Sequence, residues 1–234
     1  MRRTALCLAS VLLACSAGTT TPINANDAGA DTGTGVETGV DAGTPYVPAG
    51  YTQVAYLSAD AGTRKYAKAD QVTETGKDYI AILATDAGRI VLDLLETRAP
   101  ITVNSFVFLA LHHYYEGVAF HRVIDDFMAQ TGDPKSIAGA PATWGTGGPG
   151  YAFDVELQPD LNFDSPGVLG MARGQTTNSN GSQFFITLVA YPSLNQQYTV
   201  WGKVIEGLDV LPNIVRGEPP TAPSRIAAIR IAAK

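Results

Sequence analysis

From Phe120 to Asp133 the chain reads Phe-His-Arg-Val-Ile-Asp-Asp-Phe-Met-Ala-Gln-Thr-Gly-Asp. Two short apolar runs flank an Asp-Asp pair. Aspartate tolerates tight-turn conformations that β-branched residues resist, so the stretch predicts a β-hairpin. Strand alternation assigns Phe120, Arg122 and Ile124 to one face and His121 and Val123 to the other. An arginine on a strand this apolar must snorkel, find a counter-ion or work in a pocket. Any fold for this chain has to give that single cation one of those three outlets.

The rest of the C-terminal part continues the strand pattern. Tyr79–Leu83 and Ile90–Leu95 flank Asp86-Ala87-Gly88, a turn with glycine where positive φ is needed. Pro100 opens a helix, since proline in the first turn gives up no helical hydrogen bond. Val103, Phe106, Val107, Ala110 and Leu111 recur at helical spacing and predict one apolar stripe facing a core. His112 and His113 near its end suit the negative pole of the helix when protonated, and two adjacent histidines are a poor zinc pair. Leu208, Leu211, Ile214 and Val215 suggest a second, shorter helix that Pro212 kinks or delays. Ile226–Ile231 reads as a closing strand. Short strands with two helices predict a mostly β fold. The glycine-rich run Gly145–Gly150 lacks a following Gly-Lys-Ser/Thr and a helix, so it does not read as a phosphate-binding loop.

The N-terminus has a different character. Met1-Arg2-Arg3 precedes an apolar run from Ala5 to Ala14 that is too short to span a bilayer, the layout of a secretory signal. Leu12-Leu13-Ala14-Cys15 is similar to a bacterial lipobox, so residues 1–14 are expected to leave and Cys15 to carry lipid. Cys7 would depart with the signal, so the exported part would have no disulfide framework. Residues 15–50 repeat acidic-small-Gly units, as in Asp27-Ala28-Gly29 and Asp41-Ala42-Gly43, and cannot bury enough surface to offset ordering entropy. A spacer of roughly 30–35 Å is expected, and its spacing does not match a calcium-binding EF-hand loop. Residues 51–77 carry Tyr51, Val54, Tyr56 and Leu57 without a clear period and have no functional reading. The net charge of −6 and isoelectric point near 5.0 argue against a nucleic-acid partner.

The hairpin is followed by Gly167-Val168-Leu169-Gly170-Met171-Ala172-Arg173, by Asn180-Gly181-Ser182-Gln183-Phe184-Phe185-Ile186-Thr187, and by Leu194 and Tyr198–Val204. In that order and at about those spacings the segments resemble the cyclophilins, the cyclosporin-type peptidyl-prolyl isomerases, from about Asp78 to the C-terminus. The resemblance implies an eight-stranded closed barrel over residues 78–234 with a helix over each opening. It further implies an enzyme needing no cofactor and no metal, with proline-containing peptides and unfolded exported proteins as partners. A monomer held at a membrane through Cys15, in a bacterial envelope, is expected.

Among the site residues, Arg122 matches the family's catalytic arginine. Phe127, Met128, Phe185 and Leu194 match its proline pocket, Gln130 and Gln183 its polar wall, and Ala172-Arg173-Gly174 the backbone that meets the substrate chain. His121 and Tyr198 also match substrate-side positions. Periodicity alone cannot say which of Phe184 and Phe185 faces the groove; the resemblance gives Phe185. Asp125-Asp126 replaces a common Pro-Gly turn. Tyr198 stands where many members have histidine and Arg173 where many have asparagine, both as in bacterial members. Ser193 stands where many have tryptophan, so strong cyclosporin binding is not expected. Two other readings compete with the enzyme. One is a catalytically weak, cyclophilin-like peptide-binding or scaffold module; the other is a serine hydrolase built on Ser182 and His121, which lacks a nucleophile-elbow context.

Overall fold

The computed structural model describes residues 46–234. The expected signal peptide at 1–14, the expected lipidation at Cys15 and most of the expected linker lie outside the described residues. Strands β1 (Thr52–Gln53), β2 (Tyr79–Thr85) and β3 (Gly88–Leu94) come first, then helix α1 (Pro100–Leu111). Strands β4 (Arg122–Ile124), β5 (Met128–Thr131), β6 (Val168–Met171), β7 (Phe184–Thr187), β8 (Val200–Glu206) and β9 (Ile226–Ala233) follow. They make one nine-stranded antiparallel sheet in the order β1-β9-β2-β3-β8-β6-β7-β5-β4. The mostly β expectation therefore holds at that level.

The ladder runs from β1 to β4, and single bridges (Ala119 to Arg225, Val123 to Gly217) join its two end regions. The ninth strand is β1, contributed by the segment for which no role was expected. One finer expectation needs correction: α1 is the one α-helix among the described residues. Leu208–Asn213 forms a 3-10 helix with Pro212 inside it, because proline supplies no N–H for an α-helical ladder.

Helix α1 also departs from the one-stripe pattern, for every residue from Thr102 to Leu111 is buried. The reason is residues 51–77, which lie across its outer side. Asn104, a polar residue in the helix interior, has each of its groups met there. Its Oδ1 accepts from Val72 N at 2.8 Å and Thr73 N at 3.1 Å, and its Nδ2 donates to the Asp70 carbonyl at 3.0 Å. Leu57 N donates to the Leu111 carbonyl, one of the orphan acceptors at the helix end. At the same end the His112 ring Nδ1 lies 2.7 Å from the Phe108 carbonyl. The opposite end has no local side-chain cap. Glu156, far along the chain, supplies one by accepting from Ile101 N at 3.0 Å and Thr102 N at 2.7 Å.

The sheet separates two apolar layers by strand alternation. Val123, Ala129, Ile186 and Leu169 sit opposite one another across β4, β5, β7 and β6 and face the main core with Phe106, Phe184 and Trp201. One residue away, the facing row is Arg122, Gln130, Phe185 and Gly170. It looks to the other side, where Met128, Phe163, Val168, Phe185, Leu194 and Val200 form a separate cluster.

Candidate functional site

The hairpin forms as the sequence predicts, with Asp126 at φ +53° in the turn. Its face assignment is half right. Arg122 and Ile124 share the outer side, but Phe120 is fully buried in the main core with Val123. Regular pairing begins only at Arg122. Before it, Phe120 N donates to the Ser224 carbonyl, outside any strand, so alternation does not carry back across His121.

The register row places the chemistry. Arg122 lies opposite Gln130, Gln130 opposite Phe185, and Phe185 opposite Gly170. Gly170 lets the Phe185 ring lie across it: a Cβ there would stand 2.1 Å from Cζ of that ring. Phe184, its neighbour, turns inward and meets Phe106 and Trp201 edge-on at 5.6 and 5.5 Å. The structure thus makes the choice that periodicity could not. Phe185 stacks on Phe163 at 5.6 Å and meets Tyr198 edge-on at 5.7 Å. Phe127 closes another side of the cluster against Tyr191 at 4.4 Å. Met128, Leu194 and Tyr198 complete the apolar residues expected there.

The Arg122 guanidinium stands at the rim, its Cζ 5.8 Å from the centroid of Phe127. Its Nε donates to Glu218 Oε2 at 2.8 Å. Among the described residues Glu218 is its one hydrogen-bond partner, so the Nη hydrogens remain for a ligand. Glu218 was not anticipated: it lies 96 residues from Arg122, and no motif links them. Of the three outlets open to a cation on an apolar strand, this arginine takes a counter-ion, at the edge of the apolar cluster.

On the other side of the row lies a polar cavity of about 370 Å³, lined by Gln130, Gln183, Ala172, Arg173, Gly174, Ser179 and the loop from Gly145 to Pro149, among others. It shares Gln130 with the register row and Ala172 with the edge of the apolar cluster. Gln130 Nε2 donates to Gln183 Oε1 at 3.0 Å, while Gln183 Nε2 donates to the Gly145 and Gly147 carbonyls at 2.9 and 2.8 Å. The Ala172–Gly174 segment borders this cavity, but two of its N–H groups are already committed. Ala172 N donates to the Gln183 carbonyl and Gly174 N to Ser179 Oγ. Arg173 folds back, its Nε on the Gln197 carbonyl at 3.0 Å and its Cζ 5.0 Å from the Tyr198 ring.

His121 lies beneath the polar wall and not on the register row. It is 4% exposed and sits behind the glycine-rich loop at Gly145, with no hydrogen-bond partner at either ring nitrogen. Burial holds its pKa below the ordinary imidazole value, so it stays neutral. Strand pairing starts one residue later, and the His121 ring lies beneath Gly145 of the polar cavity's wall. The hydrolase reading also fails on geometry, because the Ser182 hydroxyl is buried and donates to the Gly132 carbonyl at 2.8 Å beside Tyr114.

The arrangement offers a partly exposed cation at the edge of an apolar cluster and, beside it, a polar cavity walled by amide donors and acceptors. It suits binding a chain whose one apolar ring is seated while its neighbours are held by polar groups. A profile of the family described as cyclophilin type peptidyl-prolyl cis-trans isomerase/CLD matches residues 79–232. Peptidyl-prolyl cis-trans isomerase ppi1 of Schizosaccharomyces pombe is 43% identical over 128 residues, 55% of this chain and 79% of that protein. Peptidyl-prolyl cis-trans isomerase-like 3 of Gallus gallus is 43% identical over 130 residues, 55% of this chain and 77% of that protein. A crystal structure of a cyclophilin type peptidyl-prolyl cis-trans isomerase of Cryptosporidium parvum is 32% identical, with a TM-score of 0.60 over 66% of this chain and 97% of that one. The same protein has been solved in the presence of the dipeptide Ala-Pro, at 32% identity and a TM-score of 0.58 over 64% and 96% of the two chains. The profile match covers both layers of the sheet and the whole register row that carries Arg122, and on that ground the chain belongs to the cyclophilin-type peptidyl-prolyl cis-trans isomerase family.

Proposed function

We propose that this chain rotates X-Pro bonds in exported proteins as they fold, with Arg122 as the catalytic residue and an acylated Cys15 tethering it in a bacterial envelope. Rotation about a prolyl amide crosses a barrier of about 18–20 kcal/mol without making or breaking a σ bond. The protein therefore has only to bind the twisted amide better than either planar isomer. Twisting localises the lone pair on the prolyl nitrogen, and a cationic donor beside that atom interacts best at that moment. A guanidinium does this at any physiological pH, since it never gives up its charge.

Uncatalysed rotation takes tens to hundreds of seconds, so reaching milliseconds requires about four decades, roughly 5.5 kcal/mol. One charge-assisted hydrogen bond supplies about 1.5–3 kcal/mol. The remainder has to come from seating the proline ring among Phe127, Met128, Phe185 and Leu194 while the preceding carbonyl swings. The observation that carries the reading is the single register row: Arg122, Gln130 and Phe185 stand side by side on one face. The Ala-Pro dipeptide named with the Cryptosporidium parvum structure supports the same ligand class.

Proline-peptide isomerisation measured with wild type and Arg122→Ala tests it. The expected loss in kcat/KM is about 10- to 150-fold. Equal rates would leave the scaffold reading in place of the enzyme. Mass analysis of the mature N-terminus tests the tether: a diacylglyceryl-modified Cys15 supports it, and a cut elsewhere removes it.

A further inference from the structure

The family-matched stretch begins at residue 79, yet a segment before it reaches the wall of the groove. Arg64 fixes that segment to the end of α1, its Nε donating to the Tyr114 carbonyl at 2.9 Å and its Nη2 to the Glu116 carbonyl at 3.1 Å. The Tyr66 ring packs edge-on against Phe108 at 5.2 Å and His112 at 5.5 Å. Held in this way, the next two contacts fall on the glycine-rich loop. Lys65 Nζ donates to the Gly148 carbonyl at 2.7 Å, and Tyr66 N donates to the Pro149 carbonyl at 2.8 Å. The approach is close enough that a Cβ on Gly150 would stand 2.7 Å from the Tyr66 carbonyl oxygen.

Glycine has the most conformational freedom to lose, so a loop with glycine at 145, 147, 148 and 150 does not hold one shape unaided. It is gripped by Gln183 of the cavity wall, which donates to the Gly145 and Gly147 carbonyls, and by the buried Asp133, which accepts from Gly147 N at 3.1 Å. Those bonds fix the near half, residues 145–147. The far half, 148–150, is held from behind by residues 65 and 66. Both halves line the polar cavity beside the Arg122 row.

We infer that Lys65 and Tyr66 are positioning residues of the peptide groove. They set the shape of the wall at 148–150, and with it the affinity for peptide residues beyond the proline, while leaving bond rotation at Arg122 untouched. This rests on the proline-peptide reading of the site. It assigns residues 51–77 a role that covering α1 does not require, because Lys65 is exposed and makes no contact with the core.

The test uses the full chain and two substrates, a blocked Ala-Pro dipeptide and a hexapeptide with Ala-Pro at its centre. Lys65→Met with Tyr66→Ala is expected to raise KM for the hexapeptide about 3- to 10-fold, the loss of one hydrogen bond's worth of affinity. The kcat for the hexapeptide and both constants for the dipeptide should stay within about twofold of wild type, and Lys65→Arg with Tyr66→Phe should restore wild-type KM. Lys65→Met alone removes an exposed ammonium without touching packing. It should shift hexapeptide KM in the same direction, which keeps the test sound if the double variant folds poorly. Hexapeptide KM unchanged in both variants, or a kcat loss that is the same on both substrates, overturns the inference. An inactive wild type would instead overturn the isomerase reading beneath it.

Discussion

Gly170→Ala examines the seat of the proline ring without touching Arg122. The added Cβ would stand 2.1, 2.5 and 2.6 Å from Cζ, Cε2 and Cε1 of Phe185, far inside van der Waals contact. Gly170 and Phe185 are register partners on adjacent strands, so the backbone cannot give way alone; the ring must leave. Phe163 blocks it on one side, stacked at 5.6 Å, and Tyr198 on another, edge-on at 5.7 Å. The direction left to it is the outer face, where the proposed proline seat lies. Overpacking of this kind costs about 1–3 kcal/mol, and for a domain of this size each kcal/mol lowers Tm by roughly 2–4 °C. The effect on turnover should be larger. If Arg122 supplies about 1.5–3 of roughly 5.5 kcal/mol, clamping supplies about 2.5–4, and blocking the proposed proline seat removes up to two or three decades of kcat/KM. The assay pairs proline-peptide isomerisation with a thermal melt. Adding Phe185→Leu to Gly170→Ala withdraws the colliding ring atoms, so the double variant should regain stability without regaining activity. Gly170→Ala with kcat/KM within twofold of wild type and an unchanged Tm would refute the placement of this ring and the clamping account together.

The same geometry sets other outcomes. Glu218→Gln leaves Arg122 without its counter-ion, but both partners are substantially exposed, so the pair is worth no more than about 1 kcal/mol. A change in kcat/KM of less than about fivefold is expected, shrinking further in 1 M salt; a hundredfold loss would show that Glu218 does more than orient the guanidinium. His121, buried and neutral, has a folded pKa below its unfolded value, so the unfolded chain binds the extra proton and stability falls as pH drops below about 6.5. His121→Gln should flatten the slope of Tm between pH 7 and 5. Desolvation raises the pKa of Asp93 and Glu96, which pulls the other way, and an unchanged slope in the variant would assign the dependence elsewhere.

Much of the frame is legible in the sequence because it depends on neighbours along the chain. The turn at Asp125-Asp126, the helix opened by Pro100 and the strands on either side of Gly88 all arise from local conformational preference. The family resemblance is legible for a related reason: its motifs are short, ordered segments whose residue types can be matched one by one. Departures arise where distant chain completes a local element. Helix α1 reads as one-sided, yet Asn104 is satisfied by Val72, Thr73 and Asp70 and its N-terminus is capped by Glu156, partners no helical period can announce. The same holds for His121, which is buried beneath Gly145 of a loop distant in sequence.

The residues alone determined that this chain would be rich in strands, that one arginine would sit in a greasy hairpin needing an outlet, and that the N-terminal part would differ in kind from the remainder of the chain. Those are matters of composition and of the period-two and period-3.6 rules, which act within a few residues. Only the folded sheet decided that the arginine pairs with Glu218 at the edge of the apolar cluster, that Phe185 rather than Phe184 faces that cluster, and that Lys65 reaches the glycine-rich loop. Each of those depends on register between strands or on contacts across dozens of residues, and cross-strand register is a property of the assembled sheet rather than of any one strand.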